Sequence, residues 1–185
     1  MMFEASTYIK PLIAEFEANA NTIKAKKMEA YLLNKFSFYG VMTTERRLIL
    51  KHFYLSSKKL SWQQAQEVSM LLWKQRNREL HYCAIEFIAF YKKETDENFI
   101  KVIELFIVEN SWWDSVDGTY SHLLRYYFKK FPKQVQAYAC NWNKSNNIWL
   151  QRMSIIFQLK SKDNTDTLIL SKHIAHCANS KEFFV

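Results

Sequence analysis

Two tryptophans and two carboxylates fall within seven residues at Ser111-Trp112-Trp113-Asp114-Ser115-Val116-Asp117. Trp113 and Asp117 are four apart, so on a helix their side chains share a face and offer a negative charge and an aromatic ring to a cation. Asp114 reads differently. With Ser111 as N-cap it occupies the third helical position, where a carboxylate returns a hydrogen bond to the cap and meets the helix dipole. The plain alternative puts Trp113 in the core and leaves Asp117 as a surface acid. A second cluster follows the Asn146-Asn147 turn, where Trp149 and Arg152 are three apart on a shared face. Arg152 has the shape to clamp a phosphate, and equally the character of an ordinary surface arginine.

Upstream, Glu45-Arg46-Arg47 opens a helix. Paired cations sit awkwardly there because the dipole prefers anions. An external anion explains them; otherwise one arginine pairs with Glu45 or with an acid on a neighbouring helix. His173, His176 and Cys177 have the i, i+3, i+4 spacing of a helical metal site, but no second Cys or His cluster supplies the remaining ligands, so no metal is expected. No Ser-His-Asp or Cys-His constellation has recognisable local context.

These residues need helices to position them, and the composition points the same way. Average usage in 185 residues supplies about 13 Gly and 9 Pro, against 2 of each here, Gly40 and Gly118, Pro11 and Pro132. Hairpins, barrel corners, dinucleotide fingerprints and P-loops all lean on glycine, which leaves an all-α protein. Ser61 and Gln64 have the spacing of a capping box before an apolar-periodic run to Trp73. Thr22, Thr44, Thr95, Ser111, Ser145 and Asn164 each precede a further amphipathic stretch, and Pro132 sits where a first turn tolerates it. About nine or ten short helices joined by brief connectors follow, either a closed bundle or a stacked solenoid with a repeat of roughly 40 residues. Cys83, Cys140 and Cys177, odd in number and widely spaced, suit small buried thiols better than disulfides. No apolar run reaches membrane-span length and the N-terminus lacks a signal-peptide layout, so a cytoplasmic location without membrane contact is expected.

The net charge of +8 is localised. Between Gly118 and Lys162 there is no Asp or Glu, while Arg125, Lys129, Lys130, Lys133, Lys144, Arg152, Lys160 and Lys162 supply the whole formal excess. Tyr126, Tyr127, Tyr138, Trp142 and Trp149 are interleaved with them. Such a segment suits the phosphate backbone of a nucleic acid; the alternative is a solvated helix face.

With these residues in view, the chain resembles the DNA alkylation repair enzymes, HEAT-like-repeat alkylpurine DNA glycosylases of the AlkD type. The resemblance runs through Met28, Tyr31 and Phe36 to Gly40, Glu45-Arg46-Arg47, Leu72-Trp73 and Arg78-Glu79. It is strongest at Ser111 to Asp117, Asn147-Ile148-Trp149-Leu150-Gln151-Arg152, Phe157-Gln158-Leu159-Lys160 and Ser180-Lys181-Glu182-Phe183-Phe184. It implies an α-α superhelix of HEAT-like repeats with duplex DNA on a concave basic face, and so the solenoid rather than the bundle. It implies catalytic roles for Asp117 and Trp113, DNA contacts through Arg152, Tyr31, Arg46, Arg47 and Lys160, and no cofactor. The implied reaction is hydrolysis of the N-glycosidic bond of cationic alkylated purines such as 3-methyladenine and 7-methylguanine.

Family members continue past the Lys-Glu-Phe-Phe segment into a helix bearing another active-site tryptophan. The expectation here is therefore a single HEAT-like-repeat glycosylase domain, residues 1–185, lacking the C-terminal repeats. An apolar end formed by Ile174, Phe183 and Phe184 should then be exposed, which makes self-association an expected property. The competing expectation is a non-catalytic DNA-binding helical-repeat protein, and a protein-interaction solenoid is a third. If the basic segment grips phosphates, log affinity for duplex DNA falls steeply as log salt rises; weak binding already at low salt would contradict both DNA readings.

Overall fold

In a computed structural model, which describes residues 3–185, the chain is helical throughout, and Ser37 and Asn77 form an isolated bridge rather than a strand. No described helix is long and apolar enough to cross a membrane. The chain divides into two compact units, residues 1–94 and 95–185.

The first unit holds α1 (Ala5–Ala18), α2 (Thr22–Tyr31), α3 (Thr43–Ser56), α4 (Trp62–Trp73) and α5 (Arg78–Ala89). Helices α4 and α5 pack together, α1 packs on α3 and α4, and α3 packs on α5. Ile9, Leu12 and Phe16 form the buried stripe of α1, at the spacing of one helix face, and Val68, Leu72, Phe87 and Ile88 are buried on α4 and α5. The capping box expected at Ser61 forms: its Oγ accepts from the Gln64 amide at 3.3 Å, and Gln64 Oε1 accepts from the Ser61 amide at 3.0 Å.

Other caps shift by a residue or two. Asn21 rather than Thr22 caps α2, and α3 opens at Thr43 behind Met42 with no side-chain cap. Asp96 rather than Thr95 caps the 3-10 turn Glu97–Phe99. Where an Asx residue lies beside a hydroxyl residue here, the planar Asx oxygen takes the orphan amide.

The loop after α2 is fixed from α5. The carboxylate of Glu79, fully buried, accepts the amides of Tyr39 at 3.1 Å, Gly40 at 2.8 Å and Val41 at 3.2 Å. Burial pushes the Glu79 carboxyl above its ordinary value, and the backbone amides that hold the anion only partly offset this. Gly40 is required there: its φ is +88°, and a Cβ would lie 2.1 Å from the Asn21 carbonyl oxygen.

Arg46 follows the second of the two readings open to it, a pair with an acid on a neighbouring helix. It is 4 % exposed, and its guanidinium grips Glu86 of α5 with two bonds, Nη1 at 2.6 Å and Nη2 at 3.0 Å, beside the Tyr82 ring. It forms an internal ion pair between α3 and α5. Arg47, far more exposed, donates Nε to the same carboxylate at 3.0 Å. Placing an acid opposite the N-terminal turn of α3 removes the awkwardness of two cations there.

The second unit holds α6 (Ile100–Val108), α7 (Trp113–Thr119), α8 (Arg125–Lys130), α9 (Val135–Asn143), α10 (Ile148–Ile156) and α11 (Thr167–Cys177). A π-helical turn, Tyr120–Leu124, joins α7 to α8, and Pro132 opens a 3-10 turn before α9. Helix α10 is the hub, packing on α6, α7, α9 and α11. Buried Asn143 ties three helices together, donating Nδ2 to Ser154 Oγ at 3.0 Å and to the His173 carbonyl at 3.2 Å. His173 is buried as well, and its Nδ1 donates to the Ser154 carbonyl at 2.8 Å. Cys83 and Cys177 are buried thiols and Cys140 is half-buried; burial pushes the Cys83 thiol up to about 12.

Glu86 gives this fold a pH dependence. Burial raises its pKa, but the hydrogen bonds and charges of Arg46 and Arg47 outweigh that and hold it below its ordinary 4.5. A depressed carboxyl contributes stability above its unfolded value that is lost as pH falls, so the α3–α5 contact should weaken below about pH 4.5. Arg46→Ala, which leaves half-buried Glu86 only the exposed Arg47 as a charged partner, should cost about 3 kcal/mol in denaturant unfolding at neutral pH. The salt dependence of duplex binding should stay unchanged; a reduced slope would return Arg46 to the phosphate-binding set.

Candidate active site

The site is built from the starts of α7 and α10 and from the terminal segment. At the first, the expected cap is corrected. Ser111 Oγ donates to the Ile107 carbonyl at 2.7 Å, closing the end of α6, and Trp112, extended at φ −159°, occupies the N-cap position of α7, where its side chain does not cap the helix. A serine between two helices is claimed here by an orphan carbonyl behind it rather than by an amide ahead. Trp113 is consequently the first residue of α7, and Asp114 lies in the first turn, where its charge suits the dipole. Asp117 follows one turn after Trp113, and both are partly exposed.

Helix α10 starts from a strong cap. Asn147 Oδ1, rather than Ser145, accepts from the Trp149 amide at 2.9 Å and the Leu150 amide at 3.2 Å. That start sets Trp149 and Arg152 one turn apart. Arg152 reaches across to α7 and forks onto Asp117, with Nε to Oδ1 at 2.9 Å and Nη2 to Oδ2 at 2.8 Å. The pair is neither buried nor loose: side-chain exposure is 21 % for Arg152 and 37 % for Asp117, so the carboxylate is fixed in direction yet open to solvent. The sequence marked both residues separately but not their union, because they stand 35 positions apart.

Three rings flank the pair. Trp112 lies 5.6 Å from Trp149 and 4.9 Å from Phe184, and Trp149 lies 5.3 Å from Phe184. The apolar end expected at Ile174, Phe183 and Phe184 is thus divided. Ile174 is 49 % exposed and Phe183 91 % exposed, but Phe184 turns in and packs on the two tryptophans. Its place in this cluster was missed; the aromatic pair in the terminal segment was the available signal.

The remaining candidates lie apart from this pair in their roles. Lys160 is exposed, and its amide donates to Tyr120 Oη at 3.0 Å, anchoring the turn after α10 to the π turn that follows Asp117. Tyr31, the last residue of α2, is 70 % exposed, and Arg47 keeps an exposed guanidinium. Arg125, Lys129, Lys133, Lys144 and Lys162 are exposed on the second unit, whereas Lys130 turns its Nζ to the Thr95 carbonyl at 2.6 Å. Chemically, the site offers an oriented carboxylate, an arginine shared with it, and aromatic surface. No group of three or more metal-ligating side chains occurs among the described residues.

Comparison with known proteins bears on the whole arrangement. No protein of curated function matches the chain. Among solved structures, one described as a predicted DNA alkylation repair enzyme from Enterococcus faecalis superposes with a TM-score of 0.82 at 22 % identity, covering 89 % of this chain and 77 % of that one. At that identity the likeness speaks for the all-helical fold. The family model of the DNA alkylation repair enzymes matches residues 12–185, nearly the full length and every element of the site. The chain belongs to the DNA alkylation repair enzyme family.

Proposed function

We propose that the protein is a DNA N-glycosylase that hydrolyses the bond between deoxyribose and a cationic alkylated purine, such as 3-methyladenine or 7-methylguanine, in duplex DNA. The observation that carries this reading is the Asp117 carboxylate, held in direction by the Arg152 fork and still reachable from solvent.

An N-alkylated purine already carries the positive charge that an ordinary leaving base must acquire from an acid. As the glycosidic bond breaks, its electrons return to the base, which departs neutral, and positive charge develops on the sugar. Asp117 sets a negative charge against that sugar. The carboxylate also orients a water whose oxygen bonds to the anomeric carbon, and the water's proton passes through Asp117 to solvent. Trp113, one turn earlier, offers a π face that favours the cationic base and sugar. Arg152 limits the motion of Asp117, and its outer N–H groups remain suited to a phosphate oxygen near the lesion.

The acid-free basic segment supplies sequence-independent affinity for the duplex. Its exposed Lys160 and neighbouring cations, with Arg47 and Tyr31 from the first unit, are the proposed backbone contacts. Arg46, buried and paired with Glu86, is the member of the expected contact set least able to reach a phosphate.

Release of 3-methyladenine and 7-methylguanine from methylated duplex by the purified chain tests the reading. Asp117→Asn keeps the shape and removes the charge, so excision should fall on the order of 100-fold or more while duplex Kd stays within about twofold. An unchanged rate would remove Asp117 from the chemistry. No release by wild-type protein that is folded and binds duplex would favour the non-catalytic DNA-binding reading.

A further inference from the structure

We propose that Phe184 is a positioning residue for the Asp117–Arg152 pair, so that the terminal segment is a third structural component of the site; this rests on the reading of that pair as the reacting centre. Two independent contacts converge on Phe184. Its carbonyl accepts Arg152 Nη1 at 3.3 Å, using the arm of the guanidinium that the Asp117 fork leaves over. Its ring lies 4.9 Å from Trp112 at 70° and 5.3 Å from Trp149 at 33°, with the Arg152 Cζ 6.0 Å from the same ring centroid.

The placement of those tryptophans gives the contact its consequence. Trp112 is the N-cap residue of α7, five positions before Asp117, and Trp149 stands one turn before Arg152 on α10. One ring therefore bridges the starts of the two helices whose side chains meet in the ion pair. The main chain of the same residue holds the arginine from its far side. A guanidinium gripped only by a carboxylate can pivot with it; a third acceptor on a separate segment fixes the plane of the fork. The neighbouring Phe183 is 91 % exposed and makes its ring contact with Phe184, so the inward turn belongs to position 184 alone within that aromatic pair. Around it, Ser180–Val185 is non-helical and held by local bonds, with Ser180 Oγ accepting the Glu182 amide and the Glu182 carbonyl accepting the Val185 amide. Phe184 supplies the tie between this segment and the pair.

The test uses the full chain with ¹⁵N-labelled arginine and compares Phe184→Ala and Phe184→Tyr with wild type. The Arg152 Nε–H signal reports the pair in the free protein, independently of activity. In the alanine variant it should move toward exposed-arginine values and exchange faster with water. Single-turnover excision should fall about 10- to 100-fold with duplex Kd within about twofold, the pattern of a misplaced reacting group rather than lost binding. Tyrosine should restore both. If the alanine variant does not fold, Phe184→Leu, which keeps bulk but not the flat ring, carries the same comparison. A folded variant with an unchanged Arg152 signal and unchanged excision would overturn the proposal. Absence of excision in wild type would instead overturn the glycosylase reading, and the Arg152 signal would still decide the positioning role.

Discussion

The forked bond from Arg152 to Asp117 is the interaction around which the second unit is organised. A carboxylate on the surface of a short helix samples several rotamers and gives a reacting centre little directional charge. Two parallel N–H···O bonds remove that freedom without burying the anion, so the charge stays strong toward solvent while its direction is set. Such a fork demands that α7 and α10 approach at a fixed distance and register. The Asn147 cap, the packing of α10 on α6 and α7, and the contact of Trp112 with Trp149 meet that demand.

The polar interior serves the same end. Asn143 joins α9, α10 and α11, and His173 of α11 bonds to the Ser154 carbonyl of α10, so the hub helix is held by directional bonds as well as apolar burial. In the first unit, Glu79 fixes the loop that follows Tyr31, and Glu86 gathers Arg46 and Arg47. Each is a buried or half-buried group that draws partners from another segment. Breaking one leaves a desolvated charge or amide, which is why such groups specify a register more sharply than apolar contacts do.

What the sequence disclosed followed from distance along the chain. Glycine and proline depletion pointed to helices, the Ser61–Gln64 capping box formed, and the four-residue spacing of Trp113 and Asp117 put them one turn apart. The first rests on composition alone, and the other two on residues within one turn. Caps were misplaced where two candidates adjoin, as at Thr22 beside Asn21 and Asn164 near Asp166, because geometry chooses between acceptors that composition leaves equivalent. The partners of Arg46 and Arg152 were hidden for another reason: their carboxylates lie 40 and 35 residues away. One pairing turned a candidate phosphate ligand into a core ion pair, and the other joined two candidates into one. Phe184, read as part of an exposed apolar end, is instead a tertiary contact, and the Phe183-Phe184 pair signals an aromatic contact without naming its distant partners Trp112 and Trp149.

Asp117 and Arg152 are proposed to act as a single functional unit, and a double-mutant cycle in single-turnover excision from methylated duplex tests this most directly. Asp117→Asn, Arg152→Ala and the double variant are compared at saturating protein, where duplex affinity no longer limits the rate. The account predicts strong non-additivity: once either partner is gone, losing the other adds little, and the double variant is no slower than the slower single by more than about threefold. Losses that multiply, with the double variant slower by the product of the two single effects, would show that carboxylate and arginine act independently and would contradict it.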